Sequence, residues 1–334
     1  MTLRHLLLAL TASLALPVAA SALPPACAGA DMIAALPAPD RVALETAARA
    51  VPYPQGNFWR ASRDGRTATL IGTYHLDDPR HDTTMAAIAP DLARATRLLV
   101  EAGPDEEAQL VAMMARDPSL ILLPDGQSLP DLLPPADWTS LSDAMRTRGM
   151  PGFMAARFRP WYVSVLLAVP PCAMPAAAEG HGLDKRLVDA ATEQGLPVQA
   201  LEPFDTAFRI FDTMPMEAQI GMIRSALALE AQAEDQMATL AAAYFRQDSR
   251  IIWEFLRRVT LGLPGMPPEQ VEAEFALMEE ALMNARNRAW IPVIEGAAAT
   301  GPVFVAFGAL HLSGEEGVLN LLEQAGWRLE RLPL

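Results

Sequence analysis

The chain has 334 residues, 51% of them hydrophobic and 20% charged, enough apolar material for a large core and too much for wholesale disorder. Its formal net charge of −14 argues against nucleic acid and anionic lipid as partners. Cys27 and Cys172 are the only cysteines; in an oxidising compartment they suit one disulfide, and two separate thiols are the alternative.

The first residues have the layout of a secretory signal peptide: Arg4 in a short leading segment, an apolar run from Leu6 to Leu16, and small residues at Ala20-Ser21-Ala22. The expectation is cleavage after Ala22, a periplasmic or secreted product, and no stable membrane insertion afterwards. An uncleaved anchor is the alternative, although the apolar run is too short for an ordinary span.

Residues 23–56 read as an Ala- and Pro-rich N-terminal arm with one helix over Asp40 to Ala50. Phe58 to Ser62 and the apolar, β-branched run Thr67 to Ile71 then flank Asp64-Gly65, the dipeptide of a tight hairpin turn, and the second run delivers Gly72 and His75 to a strand end. Helical spacing over Met85 to Arg97 leads into a short buried strand, Arg97 to Glu101, that closes on a carboxylate. Helices follow over Glu106 to Arg116, Ala136 to Arg148, Arg157 to Val169 and Lys185 to Gln194. Leu196 to Glu202 repeats the design of an apolar strand ending in glutamate. Residues 215–260 are helical in pattern, Leu261 to Pro268 is the clearest linker, and Glu269 to Trp290 is another long helix. The chain ends with a strand over Val303 to Phe307, then Gly308 and His311, a helix through Gly314 to Gln324 and a last strand, Trp327 to Leu332. Strands alternating with helices imply an α/β fold, a central mixed β-sheet flanked by helices, with a largely helical insertion or cap at about 106–290 within a 57–334 domain.

Two stretches share one design: an apolar run, a glycine, two residues and a histidine, at Gly72-Thr-Tyr-His75 and Gly308-Ala-Leu-His311. Ligands of open α/β sheets bind beyond the carboxyl ends of the strands, where His75, Glu101, Glu202 and His311 all fall. A lone histidine there is ordinarily a solvated loop residue; the repeated context singles out this pair. Two imidazoles with one or two carboxylates would suit Mn, Co, Zn or Fe by ligand type. His81 is placed to hydrogen-bond within the loop after His75, His181 either reaches the site or faces water, and Asp77 and Asp78 either orient an imidazole or are simply solvated. The methionines at 214, 216, 222, 278 and 283 read as core or groove packing. No nucleophile elbow, H-E-x-x-H helix, P-loop or dinucleotide fingerprint is present.

Several motifs stand together in order: Leu70-Ile-Gly-Thr-Tyr-His75, Leu99-Val-Glu101, Ser128 to Leu133, Arg157-Phe-Arg-Pro-Trp161, Gly182-Leu-Asp184, Ala200-Leu-Glu202, Arg286-Asn287 with Trp290, and Val305 to His311. In these the chain resembles the TraB/GumN family, which includes the TIKI-type metalloproteases and is related to the erythromycin esterase and ChaN-like fold. The resemblance implies a metal-dependent hydrolase acting on peptide or amide bonds of a peptide or small-molecule substrate, with a divalent metal (Mn, Co or Zn) held by His75, Glu101 and His311. It further implies Glu101, Arg286 and Asn287 in catalysis, Arg286 as partner of an oxyanion or substrate carboxylate, and Gly72, Gly308, Asp184 and Glu202 in support. A non-catalytic envelope or exopolysaccharide-associated binding protein that retains the fold is the alternative. Tyr74 and Asn284-Ala285 depart from the family pattern and bear on substrate scope.

Overall fold

The computed structural model describes residues 27–264 and 266–334, so the expected signal sequence and its expected cleavage point lie outside the described residues. Six strands build one sheet: β1 (Phe58–Arg63), β2 (Arg66–Thr73), β3 (Arg97–Val100), β4 (Val198–Ala200), β5 (Val303–Gly308) and β6 (Arg328–Arg331), in the order β4-β3-β5-β2-β1-β6. Neighbours from β4 to β2 run parallel, whereas β1 is antiparallel to both β2 and β6, so the sheet is mixed. The β1–β2 hairpin turns on Asp64 and Gly65, whose φ of 50° and 76° are the left-handed values that such a turn requires.

Alternation along the central strands splits the core between the two faces of the sheet. Leu70, Val305 and Phe307 pack with Trp290, Ile294, Val318 and Trp327 on one face. Ile71, Phe304 and Ala306 pack with Ile88, Leu92, Leu187 and Tyr244 on the other. All six residues of β5 are buried, as a strand covered on both faces must be. Helices thus flank a mixed sheet, as the alternation of elements implies.

A further core, with Leu129, Leu141, Met145, Val163 and Ile223, lies within the helical segments between β3 and β5. Cys27 and Cys172 form a disulfide with Cα atoms 5.3 Å apart, fastening the N-terminal arm to the turn Pro171–Ala173 of those segments. Among the described residues no single helix is long and apolar enough to cross a membrane.

Of the boundaries that differ from the sequence reading, two bear on the site. The helix before β3 spans His81–Leu92 rather than Met85 to Arg97, because the loop carbonyl of Asp78 already accepts the His81 N–H and starts the helix early. The helix expected to stop at Trp290 is composite: Pro268–Glu279, a π-helical turn Glu280–Asn284, and Ala285–Ala298, which runs on past Pro292.

Candidate functional site

The carboxyl ends of four parallel strands meet at one place. His75 lies two residues beyond β2, Glu101 directly follows β3, Glu202 lies two residues beyond β4, and His311 closes the short 3-10 turn after β5. The composite helix lays Arg286, Asn287 and Trp290 across these ends. Parallel pairing fixes the relation, because Gly72 sits opposite Phe307 and Val100 opposite Ala306.

Gly308 marks the centre. A Cβ placed there would stand 3.3 Å from His75 Nε2, 3.4 Å from Glu101 Oε1 and 3.7 Å from His311 Cδ2. The imidazoles are therefore no farther apart than the sum of the first and last distances, inside the roughly 10 Å that a shared site with ~2 Å ligand bonds allows. Gly72 has a different reason to lack a side chain: its Cβ would lie 2.8 Å from Ala309 Cα, so the tight turn after β5 could not approach β2.

The two histidines differ sharply. His311 is 5% exposed; its Nδ1 donates to Asn287 Oδ1 at 2.6 Å, and its Nε2 faces Arg286 Nη1 at 3.4 Å. Asn287 in turn donates to the Glu316 carbonyl at 2.8 Å, which fixes its amide orientation and hence the imidazole tautomer. Burial holds His311 down, to about 4, against the opposing pull of the Glu101 charge. The His75 side chain is 66% exposed, with Nδ1 donating at 2.7 Å to Asp184, whose other oxygen accepts the Thr73 hydroxyl. The Asp184 carboxylate is the main reason that His75 is pushed up to about 9.

Between them lies a saturated guanidinium. Arg286 Nε and Nη2 fork onto Glu202 at 2.8 and 2.7 Å, Nη2 reaches Glu101 Oε2 at 2.6 Å, and Nη1 reaches the Leu282 carbonyl at 3.1 Å and His311 at 3.4 Å. These contacts use all five of its donors. Glu101 Oε1 accepts the Gly308 N–H at 2.6 Å. Burial works against a charge on Glu101, but His311, Arg286, His75 and this N–H more than offset it and bring the carboxyl to about 2. Glu202 also accepts the Trp290 indole N–H at 2.9 Å. Of the two strand-end carboxylates, Glu101 faces the histidines and Glu202 braces the arginine from behind.

The residues that the resemblance marks for a divalent cation do not fit one as they are arranged. Both oxygens of Glu101 and the Nε2 of His311 already face donors, which leaves the Nε2 of His75 as the open position. Among the described residues, no three His, Cys, Asp or Glu side chains form a group that could hold a metal ion. The positive charge at the centre of the cluster is that of Arg286.

Aspartates 77 and 78 do not orient His75. Asp77 pairs with Arg186 at 2.7 Å and Asp78 with Arg80 at 2.6 Å, so both secure the loop. His81 is fully buried and hydrogen-bonds the Leu76 carbonyl at 3.0 Å, while His181 is exposed. Sequence reasoning missed Thr73, which shares Asp184 with His75, and Tyr244, whose hydroxyl donates to the Gly72 carbonyl at 2.9 Å. Thr73 carried a usable clue, being the polar residue that ends a buried strand.

The fold and site define an α/β protein with a histidine–carboxylate–arginine cluster beyond the carboxyl ends of its parallel strands. The TraB/PrgY/gumN family model matches residues 57–331, and the chain belongs to that family. No curated protein matches the chain.

Proposed function

We propose that the protein is a hydrolase of amide or peptide bonds, with His75 as the group that meets substrate and water. The asymmetry of the two histidines carries this reading: one imidazole is exposed, backed by a carboxylate and open at Nε2, while the other is buried with both nitrogens engaged. Neutral His75 takes a proton from water at Nε2 while Asp184 holds Nδ1–H and stabilises the resulting imidazolium; the same proton then passes to the leaving amine. A developing oxyanion would draw on Arg286 Nη1, since its 3.4 Å contact with His311 is the longest of the five. Glu101, Glu202 and Asn287 position Arg286 and His311. An extracytoplasmic location is part of the proposal, supported by the Cys27–Cys172 disulfide.

The test is a panel of peptides and N-acyl amino acids incubated with purified protein and followed by mass spectrometry, alongside His75→Ala and Asp184→Asn. Cleavage that is lost in the first variant and reduced in the second is expected. Folded wild-type protein that cleaves nothing, or cleavage that survives His75→Ala, overturns the reading and favours a binding protein.

A further inference from the structure

A cavity of about 300 Å³ opens among the helices Pro160–Leu167, Met216–Leu229, Arg250–Leu261 and Pro268–Glu279. Met214, Met222 and Met278 line it with Leu256 and Phe275. Hydroxyls are present in the wall but are spent: Ser164 donates to the Pro160 carbonyl, Thr260 to the Leu256 carbonyl and Ser225 to the Met266 sulfur. The one charged group in the lining, Glu274, accepts from Gln270. An occupant therefore finds no free donor, and acceptor groups buried there would go unpaired. Three thioether side chains make the wall adaptable, which suits a flexible chain better than a rigid ring.

The cavity is joined to the candidate site by one helix. Met278 in the wall, Leu282 and Arg286 lie along it, the last two on and just beyond the π-helical turn, and the helical rise separates Met278 from Arg286 by about 12 Å along the axis. Leu282 is shared by the packing behind the cavity and the site: its side chain packs in the cluster of Trp161, Phe211 and Met214, of which Met214 lines the cavity, and its carbonyl accepts from Arg286 at 3.1 Å.

From the apolar, adaptable wall and this shared residue we infer that the cavity binds an unbranched acyl chain, carried by an N-acyl amide whose polar end is directed towards Arg286 and His75. The cleavage of that amide rests on the hydrolase reading; the binding of the chain does not. The experiment is calorimetric titration of the full mature chain with N-dodecanoylglycine and N-acetylglycine below micelle-forming concentration. The dodecanoyl compound is expected to bind at least about 100-fold more tightly, as the burial of several methylenes implies. Ala218→Phe and Ala168→Phe fill the cavity from two positions in its lining and are each expected to remove that preference with helical content retained, whereas His75→Ala keeps it. Equal affinity for the two compounds, or a preference that survives in whichever filled variant folds, overturns the inference. Chain-selective binding without turnover would overturn the hydrolase reading alone, and turnover indifferent to chain length would overturn the acyl site alone.

Discussion

Glu101 and Gly308 join the ends of neighbouring strands: a carboxylate oxygen at the end of β3 accepts the backbone N–H at the end of β5 at 2.6 Å. Gly308 has an ordinary φ of −52°, so alanine would not strain the backbone there. Its methyl would instead press on His75 Nε2 and Glu101 Oε1. Gly308→Ala is expected to fold with a stability change within about 1 kcal/mol, yet, on the proposed hydrolase reading, to lose on the order of 100-fold in kcat/KM, because displacement of reacting groups by a fraction of an ångström is costly. Urea denaturation and kinetics on one preparation check both halves.

Arg286 neutralises two carboxylates that are each about four-fifths or more buried. Arg286→Met is expected to destabilise the protein by about 3 kcal/mol, since Glu101 and Glu202 would remain as uncompensated charges. Adding Glu202→Gln should recover part of that loss. Lysine, with a point charge and three donors in place of a planar fork, should restore little. Chemical denaturation of the four proteins measures the series.

The same guanidinium bears on metals. Mn, Co and Zn are expected to bind wild-type protein more weakly than Arg286→Met, in which Glu101 and His311 Nε2 are released as donors. Calorimetric titration of each ion into both proteins, with elemental analysis of the purified wild type, decides the point. Stoichiometric metal retained by the wild type through chelation would show that the cluster rearranges to take a cation.

Acid should act on the buried half of the site. His311 is held down to about 4 when folded against ~6.5 in an unfolded chain, so the unfolded state binds its proton first and stability falls as pH drops from ~6.5 towards 4. Glu101, lowered to about 2, extends the loss below pH ~4.5. His75 runs the other way: its contribution is complete below ~6.5 and disappears as pH rises through about 9. Thermal melts across pH should therefore show a His311→Gln variant with a flatter slope between pH 6.5 and 4.

Catalysis should report the exposed half. If neutral His75 is the base, kcat/KM rises with pH to a plateau above about 9. Asp184→Asn removes the charge that holds the proton, so the rising limb should move to lower pH and the plateau should fall. A limb that stays in place would detach Asp184 from the titration.

Much of this was readable from residue order. Strand ends announce themselves where an apolar run stops at a glycine or a carboxylate, and parallel pairing then forces Gly72, Glu101, Glu202 and Gly308 to one rim. The partnerships across that rim were not readable. Asp184 is marked in the sequence only as a supporting position of the family resemblance, just before the helix expected over Lys185 to Gln194, and its bond to His75 depends on how the helix Leu183–Glu193 lies against β2. Likewise, the demand on Arg286 comes from three separate segments, and no local pattern encodes a count of donors.

The π-helical turn at Glu280–Asn284 puts two frames into one helix. Before it, the buried positions are Val271 and Phe275, and the same stripe carries Met278 and Leu282 onward at helical spacing. From Met283 within the turn onward, Asn287, Trp290 and Ile294 are buried, displaced by one residue from where an unbroken helix would have continued that stripe. A single extra residue thus lets one continuous rod carry its buried stripe through the turn, packing on the helical segments at one end and on the sheet at the other. What must be preserved there is a phase as much as any side chain, so an alignment that closes the turn by one residue would misassign every position from Arg286 to Ala298.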